Sequence, residues 1–228
     1  MPTAAKPKTA KRRPATPKSA NPLLQAWDTP FGMPPFEVIR PEHFEPAFDA
    51  AMARHRAEVD RVASSKAKPT FKNTIEALED AGRLLSRVGM AFGCLAGAHT
   101  NDEIQAIERN VSPKLAAHWT AISGNAALFA RIDALYQRRD TLKLDAEQRR
   151  VLERSHLDLV RSGAKLPDAQ KARYGEIMQR LATLGTAFGQ NVLTDEKTYE
   201  LPLPAPEDRA GLPEFLIASA AHAAQERK

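Results

Sequence analysis

Apolar residues recur with the period of an α-helix from about residue 41 onward, and this periodicity constrains the fold more than any other feature. Pro41 lies where the first turn of a helix tolerates proline, and one apolar face follows it. That face comprises Phe44, Phe48, Ala51, Met52, His55, Val59 and Val62. Aromatic residues make up only 6% of the chain, which suits helices built on Leu and Ala better than an all-β domain. The sequence predicts a mainly α protein, a multi-helix bundle.

Helix-capping residues separate the predicted helices. Asn73 with Glu76, and Thr100 with Glu103, have the spacing of a capping box, which satisfies free backbone N–H groups. Asp145 precedes another apolar-periodic segment and is predicted to cap it. Further helices are predicted over 128–136, over about 168–192 and from about 213 onward.

The period changes in "KTYELPL", residues 197–203. Tyr199, Leu201 and Leu203 alternate with polar residues or proline, which predicts one short strand. Pro202 would keep that strand at a sheet edge. A single strand has no partner in this chain and the last helix has no stop signal, so we expect 197–228 to begin a following strand-helix segment that is truncated. Residues 21–196 are then the helical N-terminal domain.

The positive charge of the chain is concentrated in its first 20 residues. This segment carries six Lys/Arg, four prolines and no acid, which leaves 27 basic and 28 acidic residues elsewhere. A segment of this composition cannot bury apolar surface, so 1–20 is predicted to be a disordered basic arm. The near-neutral remainder argues against a specific nucleic-acid partner, although the arm could bind nucleic acid weakly in a salt-sensitive way.

Three glycines, Gly89, Gly93 and Gly97, recur every fourth residue in one apolar helix. The uncharged run is residues 88–98, too short for the roughly 20 residues that a membrane span needs. A phosphate site would need glycines in a loop that enters a helix. Because interior glycine costs about 1 kcal/mol relative to alanine, the stripe predicts close packing against a neighbouring helix. Gly82 is expected nearer solvent.

No catalytic constellation is recognisable in the sequence. No two of the six histidines are four residues apart, so the His-Glu-x-x-His zinc motif is missing. His99 is interpreted as a helix-junction residue, His156 as a satisfied core residue and His222 as a solvated one. The single cysteine, Cys94, excludes an internal disulfide, is expected to be buried packing, and fits a reducing compartment, the cytoplasm. The acidic residues of 194–196 are expected at a surface junction after the long helix.

Six short segments occur in an order and spacing that resemble a known family. They are "NPLLQAW" (21–27), "PPFEVIRPEHFEPAFDAAM" (34–52), "PTFKNTIEALED" (69–80), "LAGAHTND" (95–102), "LDAEQRRVLERSHLDLVRSGAKL" (144–166) and "LGTAFGQNVLTDE" (184–196). Together they resemble the N-terminal region of the thimet-oligopeptidase-like zinc metallopeptidases, in the bacterial peptidyl-dipeptidase and oligopeptidase A branch.

The resemblance implies the N-terminal lobe of the neurolysin-like two-lobed fold, in which a channel admits short peptides. In that family, zinc is held by the histidines of a His-Glu-x-x-His helix and a downstream glutamate, and the motif's glutamate acts as general base. This sequence lacks that region, so no catalytic, cofactor-binding or metal-binding residue is carried over. We expect a monomeric, cytoplasmic part of such an enzyme, inactive by itself.

A second interpretation belongs to another class of protein. The chain could be a stand-alone helical interaction protein that shares this ancestry without catalysis. It would then end naturally at Lys228 and fold cooperatively alone. A reading frame that continues past Lys228 into a His-Glu-x-x-His helix would exclude this alternative.

Overall fold

The computed structural model describes residues 21–226, and this part of the chain is mainly helical and contains no strand. The prediction of a multi-helix protein is confirmed, while the predicted arm at 1–20 lies outside the described residues. Its helices are α1 (Phe44–Ala63), the short α2 (Ala77–Glu79), α3 (Arg83–Ala98), α4 (Asp102–Ser123), α5 (Ala126–Tyr136), α6 (Ala146–Arg161), α7 (Asp168–Thr198) and α8 (Glu214–Glu226). A π-helical turn, Phe71–Glu76, leads into α2.

The helix caps agree only in part with those predicted. Thr70 is the N-cap of the π-helical turn, and Asn73 completes its capping box from the third position instead of being the cap itself. The side chain of Asn101, one residue after Thr100, caps α4. Asp145 caps α6 as predicted. The errors have one cause: Thr, Asn and Asp all accept backbone N–H bonds, so neighbouring candidates compete.

The described chain divides into two units, one ending at Ala187 and the other beginning at Phe188, inside α7. The predicted boundary between 196 and 197 stays a prediction. In the first unit, a buried apolar group that we call the first cluster joins the N-terminal half of α1 to α3 and α4. It consists of Leu23, Ile39, Phe44, Ala47, Phe48, Ala51, Met52, Leu85, Val88, Ala91, Phe92, Ile104, Ile107 and Val111. Phe92 of α3 packs edge-to-face on Phe44 and Phe48 of α1, with ring centroids 5.1 and 5.6 Å apart. Such packing makes this end of the unit a close-packed core.

A second cluster lies around the C-terminal half of α1. It joins α1 to the π-helical turn, α5 and α6, and it consists of Val59, Val62, Ile75, Leu128, Ile132, Leu135 and Leu152. One face of α1 therefore contributes buried residues to both clusters. Met52 belongs to the first cluster and Val59 to the second, and His55 lies between them in sequence.

The predicted packing of the glycine stripe is wrong. No atom lies within 4 Å of a Cβ built at Gly89, Gly93 or Gly97, so this face of α3 is open. The core-facing side of α3 carries the larger residues Leu85, Val88, Ala91 and Phe92. Burial favours large apolar side chains. Gly89 directly follows Val88 and Gly93 directly follows Phe92, so each glycine lies about 100° further around the helix than the buried residue before it.

Two further expectations for this region are also wrong. Cys94 is exposed instead of buried, because it shares the open side of α3 with Gly93. Gly82, expected near solvent, is buried at the turn before α3 with a φ of +76°. A Cβ there would lie 3.0 Å from ring atoms of His55.

The strand predicted over 197–203 is not formed. α7 continues through Thr198, and residues 199–204 have no regular secondary structure. The alternating pattern lacks a neighbouring strand in the described residues, and Pro202 and Pro204 lack the N–H that a ladder needs. The longer α7 also places the acidic pair of 194–196 inside a helix, where these residues are exposed. Among the described residues, no helix is both long and apolar enough to cross a membrane.

Candidate functional site

Two histidines meet between α1 and α4 in the first unit. Nδ1 of His55 lies 3.0 Å from Nε2 of His118, and both side chains are buried. The indole of Trp119 contacts both imidazoles edge-on, with centroids 5.3 and 5.4 Å away. The prediction placed His55 on the apolar face of α1 but did not anticipate this partner, which lies 63 residues away in sequence.

The environment of this pair favours neutral imidazoles. Burial, with smaller contributions from the charges of His55 and Arg56, lowers the pKa of His118 to about 4. Burial also lowers the pKa of His55, partly offset by the nearby Glu58 carboxylate. Nδ1 of His118 is buried and has no hydrogen-bond partner among the described residues. A proton there would create an unpaired N–H, which is costly in a protein interior.

A bend in the backbone supports the His55 ring. The N–H of Gly82 donates to Glu58 at 2.8 Å, and Arg54 donates to the other carboxylate oxygen of Glu58 at 2.9 Å. The Gly82 N–H, followed by Arg54, holds the pKa of Glu58 below its usual value. The positive φ and the absence of a side chain at Gly82 together let the turn approach the imidazole.

A buried arginine forms a second polar junction. Arg131 of α5 donates to the carbonyl oxygens of Ser65 and Ala67 at 2.7 and 3.0 Å. Its other terminal nitrogen lies 3.1 Å from Oδ1 of Asn73 and 3.3 Å from Oγ1 of Thr74. The planar guanidinium thus ties the connection after α1 to the π-helical turn, a role that its position on an apolar helix did not reveal.

Three of the other histidines lie where their sequence context suggested. His156 is buried, bonds Asp133 through Nε2 at 2.9 Å and stacks on the Tyr136 ring with centroids 3.9 Å apart. The prediction of a satisfied core histidine is confirmed. His99 is exposed at the C-terminal end of α3, as expected for a helix junction. His222 is exposed and 3.6 Å from Glu226.

The arrangement does not fit a zinc site. In residues 21–226, no group of three His, Cys, Asp or Glu side chains could hold a metal ion. His55 and His118 supply only two imidazoles, and these bond to each other, whereas a catalytic zinc ion uses three protein ligands. In the described residues, the buried polar groups connect neighbouring helices of a helical scaffold.

Comparison with known proteins identifies the family to which this helical scaffold is related. No protein-family model matches the chain. It is 41% identical over 207 residues to the dipeptidyl carboxypeptidase of Escherichia coli K12, covering 91% of this chain and 30% of that protein. It is 30% identical over 200 residues to oligopeptidase A of Salmonella typhimurium, covering 88% and 29%. A probable cytosolic oligopeptidase A of Arabidopsis thaliana is 25% identical over 209 residues, covering 90% and 29%.

The chain belongs to the dipeptidyl carboxypeptidase and oligopeptidase A branch of the thimet-oligopeptidase-like peptidases, and it corresponds to their N-terminal region. The resemblance inferred from six short segments is thereby confirmed. The chain spans about 30% of the length of the curated relatives it matches.

Proposed function

We propose that this chain is the helical N-terminal part of a peptidase that hydrolyses short peptides, acting as a peptidyl-dipeptidase or an oligopeptidase, and that it forms one wall of the substrate channel. The observation that carries the proposal is the 41% identity, which extends over 207 residues of this chain but only 30% of the relative. Such a match along almost the whole chain indicates that the helices α1 to α8 have counterparts in the relative.

We further propose that a zinc ion supplies the hydrolytic chemistry and that residues outside this chain hold it. The absence of a three-ligand group among residues 21–226 supports that division. The chain's own part is structural: its paired histidines and buried arginine hold the wall in shape. In this proposal the protein is monomeric and cytoplasmic, and the 228-residue chain alone does not cleave peptides.

A chimera tests the proposal directly. Residues 21–226 would replace the matched region of the E. coli dipeptidyl carboxypeptidase, and dipeptide release from a short blocked peptide would be measured. We expect kcat/KM within about tenfold of the parent, a loss of about 1.4 kcal/mol in transition-state stabilisation. A chimera that folds yet releases no dipeptide would contradict the proposal.

The matched control is the parent enzyme with the same region deleted, which should be inactive. The isolated chain, assayed with a quenched oligopeptide and added zinc, should also show no turnover. Activity of the isolated chain that survives stringent purification and is abolished by a chelator would show that our assignment of the chemistry to other residues is wrong.

A further inference from the structure

The second unit exposes its apolar side chains and buries none of them. Within residues 188–226 no residue is buried, and the side chains of Phe188 and Phe215 are 70% and 76% exposed. The other large exposed apolar residues of this unit are Val192, Leu193, Tyr199, Leu201 and Leu216. Phe188 and Val192 lie one turn apart on α7, and Phe215 and Leu216 are adjacent on α8. Exposed apolar residues grouped in this way mark an interaction site on a folded protein.

Helix propensity alone does not account for the helical stability of this unit. α8 has 13 residues, close to the length at which an isolated helix is marginal in water. Most helical stability in proteins comes from packing an apolar face, yet Phe215 and Leu216 of α8 remain exposed. A surface that covers these residues is therefore required for the unit to be stably folded.

The net charge of the unit indicates which kind of partner surface could cover its exposed apolar residues. The unit, residues 188–228, carries seven Asp/Glu and four Lys/Arg, an excess of three negative charges. Two copies of this acidic surface would repel each other, because like charges across an interface are unfavourable. An apolar surface with a basic rim would instead be attracted.

We propose that residues 188–226 are an interface for the polypeptide that follows this region in the relatives, and that the covering surface is apolar with a basic rim. The match to the E. coli dipeptidyl carboxypeptidase occupies the N-terminal 30% of that protein, so about 70% of it lies outside the match. This inference rests on the proposed function, since it takes the chain to be part of such a peptidase.

Hydroxyl-radical footprinting tests the interface without an activity assay. Labelling of Phe188, Tyr199 and Phe215 would be compared between the isolated 228-residue chain and the chimera with the E. coli enzyme. We expect labelling of these aromatic rings to fall roughly fivefold in the chimera, because the core of an interface is packed like a protein interior. Unchanged labelling would overturn the inference. Protection in an inactive chimera would support it while contradicting the proposed function.

Dilution of the isolated chain distinguishes a second copy from this partner. If Phe188 and Phe215 become protected as the concentration of the isolated chain rises, the surface is a homotypic interface and the inference is overturned. Concentration-independent labelling is the expected result, given the acidic excess of the unit.

Two matched variants locate the interface on α8. Phe215→Asp places a charge on the apolar surface, whereas Ala224→Asp places the same charge on an exposed residue nine positions on, at the opposite side of the helix. In the chimera, Phe215→Asp should restore Tyr199 labelling to within about twofold of the isolated chain, while Ala224→Asp should leave the protection intact. Equal effects of the two variants would overturn the inference.

Discussion

Nδ1 of His55 lies 3.0 Å from Nε2 of His118, and this contact joins α1 to α4 between the two apolar clusters. On α1, the residues before His55 pack in the first cluster and those after it pack in the second. On α4, Val111 belongs to the first cluster and Ile122 packs against the second. The imidazole pair is therefore a polar contact at the point along α1 where the apolar packing passes from the first cluster to the second.

Acid should destabilise the protein through His118. Its pKa is lowered from 6.5 to about 4 by burial, so the unfolded state binds the proton more readily. The stabilisation is fully present above the unfolded pKa and is lost as the pH falls from 6.5 towards 4. From pH 7.5 to 5.5 we expect the free energy of unfolding to fall by about 1 kcal/mol from this group. Urea denaturation across that range measures it.

His118→Gln removes this titrating group and should weaken the pH dependence, with the lowered pKa of His55 accounting for what remains. The matched control is His222→Gln, which alters an exposed histidine and should keep the parental profile. If the His118→Gln protein loses as much stability between pH 7.5 and 5.5 as the parent, another group is responsible. The comparison applies to pH 5.5 and above, because carboxylates in general take up protons at lower pH.

Two glycine-to-alanine changes should have effects of opposite sign. At Gly82, alanine must adopt a φ of +76° and its Cβ meets the His55 ring at 3.0 Å, so we expect a loss of about 1–2 kcal/mol. At Gly93, nothing lies within 4 Å of the new Cβ, and helix propensity should stabilise by about 1 kcal/mol. Midpoints of urea unfolding compare both variants with the parent, and a stabilised Gly82→Ala protein would contradict the described turn.

Arg131→Lys should destabilise the protein by about 2 kcal/mol, because one ammonium cannot reproduce the forked contacts that the buried guanidinium makes with several acceptors. Arg150→Lys is the control, since that side chain is 68% exposed. The free energy of unfolding from urea titrations at pH 7.5 provides the measurement. Equal losses for the two variants would show that the Arg131 junction adds no stability.

Cys94 should react fully with a thiol reagent such as DTNB in the native protein, since it is exposed on α3. We expect native and urea-unfolded chains to react at rates within about tenfold of each other, because no unfolding is needed for access. Cys94→Ser provides the baseline. A native protein that reacts only as fast as it unfolds would place this thiol in the interior.

The helical nature of the chain could be predicted because the period of apolar residues is a local property. The direction in which a helix faces is not local. On α3, the glycine stripe and the Leu85–Val88–Phe92 side both form regular patterns, and only packing on α1 decides between them. The glycines were predicted to form the contact, and the larger side chains form it instead.

The contact between His55 and His118 and the burial of Arg131 were not predicted, for a related reason. His55 and His118 are 63 residues apart, and their contact depends on how α1 crosses α4. Arg131 lies on an apolar helix where a charged residue is normally at the surface, and its burial depends on carbonyl oxygens that no sequence pattern marks. The burial of His156 was predicted correctly because apolar residues flank it on one face of its own helix, whereas Asp133 and Tyr136, which contact it, lie on α5.

The connection between α1 and the π-helical turn is held through its main chain. Arg131 binds the carbonyls of Ser65 and Ala67, Arg138 donates to the carbonyl of Pro69, and Asn73 donates to that of Lys68. Every residue offers such a carbonyl, so the identity of the side chains at 64–68 matters little to these contacts. In a saturation mutagenesis library this segment should accept most substitutions, while Arg131 accepts few. A single-residue deletion here would instead shift all four anchored carbonyls away from their donors.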